Sequence, residues 1–160
     1  QAVANIVNKH QVKLVVIGTP KENGGIVKLI RKLGIGNYIR FTGRISDTEF
    51  VMQYARASMA VIPSVYEGFG LPAGEAMACG VPVISTTGGA LPEVIGNAGM
   101  MVPPADPAAL TCAISDLLDS PDQAMLLGNA GFQRVQNHFT WEKAAMKTVD
   151  AYKDAISDYR

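Results

Sequence analysis

The sequence predicts an α/β fold, a parallel sheet with helices on both faces, forming one domain over residues 1–160. Three observations carry that reading. Short apolar runs alternate with amphipathic stretches along the chain. The connections between them are short, as in strand–helix–strand units. The first run, KLVVIG at Lys13–Gly18, is β-branched and unbroken until glycine ends it, the pattern of a strand buried on both faces.

Residues 1–10 carry Val3, Ile6 and Val7 on a helical stripe. After the strand at Lys13–Gly18, Ile26 to Leu33 is helical, and Gly34 and Gly36 end it. Tyr38–Gly43, YIRFTG, is the second strand. Ser46 caps the next helix, which runs to about Ala57, and Glu49 three residues later completes a capping box. Met59–Pro63 is the third strand. A glycine-rich loop leads into a helix from about Pro72 to Cys79. Pro82–Ser85 and Gly99–Val102 are the fourth and fifth strands. From Asp106 onward the chain is helical, with Gly128 and Gly131 as interruptions and a closing helix after Thr140. In a sheet of this kind ligands sit beyond the carboxyl ends of the strands. The loops to inspect are therefore Gly18–Gly25, Gly43–Thr48, Pro63–Leu71 and Ser85–Glu93.

Composition removes several functions. The chain is 48% apolar and 18% charged, too apolar for disorder. Lysine plus arginine equals aspartate plus glutamate, 14 against 14, so no basic field recruits nucleic acid. No apolar run approaches the roughly 18 residues of a membrane span. The start QAVANIVNKH lacks the basic beginning and apolar centre of a secretory signal, and a cytoplasmic location is expected. Cys79 and Cys112 lack metal-ligand spacing and read as two buried thiols. His10 and His138 lie in polar helical settings without a partner carboxylate. They read as solvated or helix-end residues, and no metal site is expected.

The chemistry concentrates at Glu67–Glu75, EGFGLPAGE. Gly68 and Gly70 leave the backbone bare, and Leu71, Pro72 and Ala73 open a helix. Free amides and the positive end of a helix dipole make an anion site, which suits a diphosphate. No lysine follows the glycines, so this is not a Walker-type loop. Glu67 stands at the mouth of the loop and Glu75 in what reads as the first helical turn. A carboxylate accepts two hydrogen bonds from adjacent hydroxyls. Carboxylates on either side of a phosphate site fit a ligand with sugar, diphosphate and ribose in series. The plainer readings stay open: a glycine pair that turns a corner, a solvated Glu67, and a Glu75 that complements the dipole.

The run PSVYEGFGLPAGEAMACGVPVISTTGGALPEVIGNAGMMVPPADPAAL resembles the C-terminal domain of retaining glycosyltransferases of the GT-B fold, in the large "glycosyl transferases group 1" family, family four. The E-x7-E pattern at Glu67–Glu75, EAMACG at Glu75–Gly80, GGALPEVI at Gly88–Ile95 and VPPADPAAL at Val102–Leu110 carry the likeness. The tail FTWEKAAMKTVDAYK, Phe139–Lys153, is similar to the family's closing helix, placed here over residues 140–160. The resemblance spans roughly Lys13 to Lys153.

It implies a Rossmann-like donor-binding half of a hexosyltransferase, with a UDP-, GDP- or ADP-linked sugar as donor and no essential metal or other cofactor. By that similarity Glu67 faces the donor hexose and is catalytic. Gly68, Phe69, Gly70 and Leu71 contact hexose and β-phosphate, and Glu75 binds the ribose. Gly43, Arg44, Ile45 and Asp47 border the base. For Arg44 and Asp47, an exposed loop and a helix start remain the plainer alternative.

The family's domain opens with a strand, then G-R-L and a lysine–glycine pair whose cations clamp the diphosphate. No such segment precedes Gln1, and Lys21 follows the wrong strand to replace it. The chain opens on a helix with no strand before it. The expectation is therefore an N-terminally truncated piece of a longer parent, without its acceptor domain, lacking a central strand and inactive alone. The alternatives are a free-standing sugar-nucleotide-binding module and a related GT-B epimerase or phosphorylase. A partner-binding role through the last helix is a further possibility. Its stripe Trp141, Ala145, Val149 and Tyr152 is expected to pack into the core.

Overall fold

In the computed structural model, which describes residues 1–159, the alternating runs resolve into strands and helices in the expected order. They are α1 (Ala2–Ile6), β1 (Leu14–Val16), α2 (Gly25–Leu33), β2 (Ile39–Phe41), α3 (Asp47–Ala55), β3 (Ala60–Ile62) and α4 (Leu71–Ala78). There follow β4 (Val83–Thr86), α5 (Leu91–Ile95), β5 (Met100–Val102), α6 (Pro107–Asp119), α7 (Pro121–His138) and α8 (Trp141–Ser157). Residue 160 of the expected closing helix lies outside the described residues.

Local chemistry explains most boundaries. Gly34 ends α2 at φ 66°, a left-handed conformation that costs glycine little. Gly36 does not help end that helix; it opens a short 3-10 turn, Gly36–Tyr38. Ser46 and Glu49 form the expected capping box, each closing on the other's backbone N–H. Those bonds hold the Glu49 carboxyl below its usual range, the backbone N–H of Ser46 first and its hydroxyl second. Asp106 caps α6 through the amides of Ala108 and Ala109.

All strand pairs are parallel, as expected, but the ladder is not continuous. β1 pairs with β2, with Leu14 opposite Ile39. β3, β4 and β5 form a separate set, with Ala60 opposite Val83 and Ile84 opposite Met100. Two apolar clusters pack around the three-stranded set. Ala2 and Ile6 of α1 lie in one cluster with Ile84, Val102, Ile114 and Leu117, and Val12 and Val61 border it. A second cluster, on Met77, Val83, Leu91 and Ile95, holds α4, β4, α5 and α7 together.

Five expectations change. β1 is not buried on both faces: Val15 is 36% exposed, because no layer covers that side of the two-stranded set. Gly128 and Gly131 do not interrupt a helix. Both are buried inside α7, where the helix passes against Gly80 and Met77, and the break falls earlier, at Ser120–Pro121. Cys112 is exposed and Cys79 half-buried, so they are not two buried thiols. The stripe of α8 does not enter the core. Trp141 is 92% exposed, Val149 and Tyr152 are exposed, and no residue of α8 is buried. His10 also gains a carboxylate: Nδ1 lies 3.9 Å from Asp119 Oδ1 at the end of α6.

Candidate functional site

The loop between β3 and α4 is laced to the loop between β4 and α5. Both leave the same ends of neighbouring parallel strands, so they meet. The Thr86 hydroxyl donates to the carbonyl of Ser64 and accepts from the Gly88 N–H at 3.3 Å. The Ala90 N–H donates to the Glu67 carbonyl at 2.9 Å. The contact is close enough to demand glycine. A Cβ on Gly88 would lie 2.3 Å from the Val65 carbonyl oxygen, and one on Gly89 would lie 2.2 Å from that of Glu67. Gly89 also has φ 64°, in the left-handed region.

This lacing positions Glu67. The Ser64 hydroxyl donates to Glu67 Oε1 at 2.7 Å, so the half-buried carboxylate is held at the loop's base. The chain then turns through Gly68 and Phe69 to Gly70, whose φ of 92° makes it the left-handed start of α4. The N–H groups of Phe69, Gly70 and Leu71 find no acceptor among the described residues. They stand at the positive end of the α4 dipole, with Pro72 at the second helical position, where it forfeits no bond.

Glu75 is exposed, and it sits in the second turn of α4, not the first. The helix starts at Leu71, so Glu75 lies roughly 6 Å along the axis from that start. At that depth complementing the dipole no longer explains the residue, because the effect fades within the first turn. The Glu75 charge is felt by α3. Tyr54, whose hydroxyl donates to the Pro72 carbonyl at 3.3 Å, has its pKa pushed up to about 12, mainly by burial and then by Glu75 and Cys79. Burial, then Glu75, also raises the Cys79 thiol, which keeps it protonated and unreactive.

That coupling gives a measurable consequence. The folded value for Tyr54 lies above the ordinary phenol value of 10.0, so the folded chain keeps the proton longer. The contribution is complete below pH about 10 and is lost as pH rises through about 12. Glu75→Gln should lower the midpoint of phenolate absorbance yet leave it above the ordinary value, since burial is the larger cause. A midpoint that does not move would show that the carboxylate does not face Tyr54.

The expected base-bordering residues lie on the next loop. Gly43 has φ 71°, and its N–H donates to the Gly18 carbonyl at 3.0 Å, closing the ends of β1 and β2 together. Arg44 and Asp47 are exposed, Ile45 is half-buried, and Asp47 opens α3. Among the described residues no hydrogen bond or ion pair joins this loop to Glu67–Glu75. The connection runs along α3 through Tyr54. Ser64, Thr86, Gly88 and Gly89, which support the site, were not singled out from the sequence as its residues. The Gly88–Gly89 doublet before a proline-opened helix was the available signal.

A family described as Glycosyl transferases group 1 matches residues 1–120. The chain is 42% identical to an MMP alpha-(1->4)-mannosyltransferase of Mycolicibacterium hassiacum over 159 residues, covering 98% of this chain and 39% of that protein. The C-terminal domain of a glycosyl transferase group 1 family protein, LpcC from Francisella tularensis, superposes with a TM-score of 0.75 and 30% identity. The match covers 88% of this chain and 76% of that one. Anabaena Alr3699/HepE, solved in complex with UDP, has the same fold at a TM-score of 0.84 and 20% identity, covering 96% of this chain and 43% of that one. The chain thus spans well under half the length of the mannosyltransferase it matches.

Proposed function

Since the chain belongs to the glycosyl transferases group 1 family, we propose that it is the donor-binding half of a retaining glycosyltransferase that moves a hexosyl group from a nucleoside-diphosphate sugar to an acceptor. The observation that carries this is the row of unpaired amides at Phe69–Leu71, held between a fixed Glu67 and an exposed Glu75. An anion on those amides has one carboxylate beside it at the loop's base and a second one helical turn away. That order matches a donor laid out as hexose, diphosphate and ribose. In this reading the diphosphate rests on the α4 start, Glu75 takes the ribose hydroxyls, and Glu67 takes the hexose, where it serves the reaction. Gly43, Arg44, Ile45 and Asp47 border the base along α3. Neither a metal nor another cofactor is needed, and the location is cytoplasmic.

The discontinuous ladder supports the truncated reading, in which a strand and two cationic clamp residues belong to a longer parent chain. That parent also supplies the acceptor domain. The 160-residue chain alone then binds donor without transferring it, and detectable transfer would sink that part.

The test is a calorimetric titration with UDP, GDP and ADP, starting with UDP because a neighbour of the same fold is solved with it. One nucleotide should bind in preference to the others. Glu75→Ala should weaken it by about tenfold or more, the cost of losing hydrogen bonds to a charged acceptor. Equal binding by the variant would remove Glu75 from the site.

A further inference from the structure

The chain is neutral overall, yet one cleft beside the donor loop gathers positive charge. It has a volume of about 250 Å³ and forms where Phe69 meets α5, α7 and α8. The Phe69 ring meets Phe139 edge to face at 6.2 Å. Arg134 is half-buried and fixed there. Its Nε donates to the Val94 carbonyl and its Nη2 to the Glu93 carbonyl, each at 2.7 Å. The guanidinium lies 5.8 Å from the centre of the Phe139 ring and packs on Gly96, where a Cβ would meet its Cζ at 2.7 Å. Nη1 has no acceptor among the described residues. His138 and Lys147 line the same cleft, and neither forms an ion pair among the described residues. Glu93 is the one carboxylate in the lining.

We infer that this cleft is a second binding subsite, separate from the donor loop, for an anionic sugar or polyol, one that carries a phosphoryl or carboxylate group. The anion lies against Arg134 and Lys147, as a planar fork and a mobile ammonium recognise such groups. The aromatic corner of Phe69 and Phe139 supplies an apolar surface for the ring's C–H face. The volume is below the usual range for drug-sized ligands, so it suits one ring with its charged substituent. Phe69 links the cleft to chemistry, since it follows Glu67 by two residues in the same loop. The recognition of an anionic sugar does not rest on the transferase reading.

The test is an NMR titration of the 160-residue chain with glucose 6-phosphate, glucose and inorganic phosphate in separate arms. Glucose 6-phosphate should shift the amides of Phe69, Arg134, Phe139 and Lys147, and glucose should not. The double variant His138→Gln, Lys147→Gln changes only exposed positions, so its fold is read from the unshifted remainder of the spectrum. It should bind glucose 6-phosphate about tenfold more weakly. Glu75→Ala should leave these shifts intact. Loss of nucleotide binding in that variant with the cleft unchanged separates the two sites, whereas a wild-type chain that binds glucose 6-phosphate but no nucleotide overturns the donor reading alone. No shift at the four amides, or equal affinity in the double variant, overturns the subsite. Equal affinity for inorganic phosphate overturns its sugar specificity, and with it the inference of a sugar subsite.

Discussion

Gly89→Ala should cost the chain the proposed nucleotide site before it costs the chain its fold. The new Cβ would sit 2.2 Å from the Glu67 carbonyl oxygen and 2.9 Å from its nitrogen, both backbone atoms that cannot rotate aside. The left-handed φ of 64° adds about 1–2 kcal/mol for any residue with a Cβ. The two loops must therefore separate, and the bond from the Ala90 N–H to Glu67 goes with them. Glu67 then loses its fixed height, and the amides beyond it lose their alignment. Binding of the preferred nucleotide should fall by at least tenfold in calorimetry, with a smaller loss in melting temperature. Gly74→Ala is the matched control. It lies inside α4 with nothing within 4 Å of its Cβ, and alanine should stabilise that helix by roughly 0.5–1 kcal/mol. If Gly89→Ala binds nucleotide as well as Gly74→Ala does, the lacing has no part in the site.

Gly128→Ala should produce the larger loss of stability. Its Cβ would lie 2.3 Å from the Gly80 carbonyl oxygen, at the crossing where α7 passes over the end of α4. Overpacking against backbone costs typically 1–3 kcal/mol, and alanine's better helix propensity returns less than 1 kcal/mol of that. A net loss of about 1–2 kcal/mol lowers the melting temperature by about 2–8 °C in a chain of this size. Gly131→Ala should be milder. Its nearest obstacle is the Met77 Cγ at 3.0 Å, part of a flexible side chain that can repack. Thermal melts of both variants test the order, and a reversed ranking would mean that α7 sits differently on α4.

Local features were legible in the sequence and remote ones were not. The Ser46–Glu49 box and the Gly34 stop depend on residues a few positions apart, so they were readable. The candidate loop could be singled out for the same reason, because Glu67 through Glu75 are contiguous; its donor role is the proposal made above. Gly128 and Gly131 were misread as breaks because a glycine in a helical pattern looks like punctuation unless its neighbour is known. Here the neighbours are Gly80 and Met77, far back in the chain. α5 was missed because five residues, Leu91–Ile95, are too few to show periodicity. The burial of β1 and of the α8 stripe depends on what covers them, which no window of sequence contains. Arg134 likewise contacts carbonyls some forty residues earlier. Glu75 was misplaced by one turn because the helix start shifted by a single residue, to Leu71.

The lack of burial along α8 has a consequence for time scale. A helix of 17 residues with no buried side chain relies on its own hydrogen bonds and on its Thr140 cap. Isolated helices near that length are marginal in water. Its amides should exchange with solvent at a rate set by local fraying, decoupled from global unfolding, while those of β4 exchange only when the whole core opens. Lys147 rides on this helix. The ammonium of the charged cleft is therefore delivered by the least protected element of the chain, whereas its guanidinium is anchored to one of the best packed.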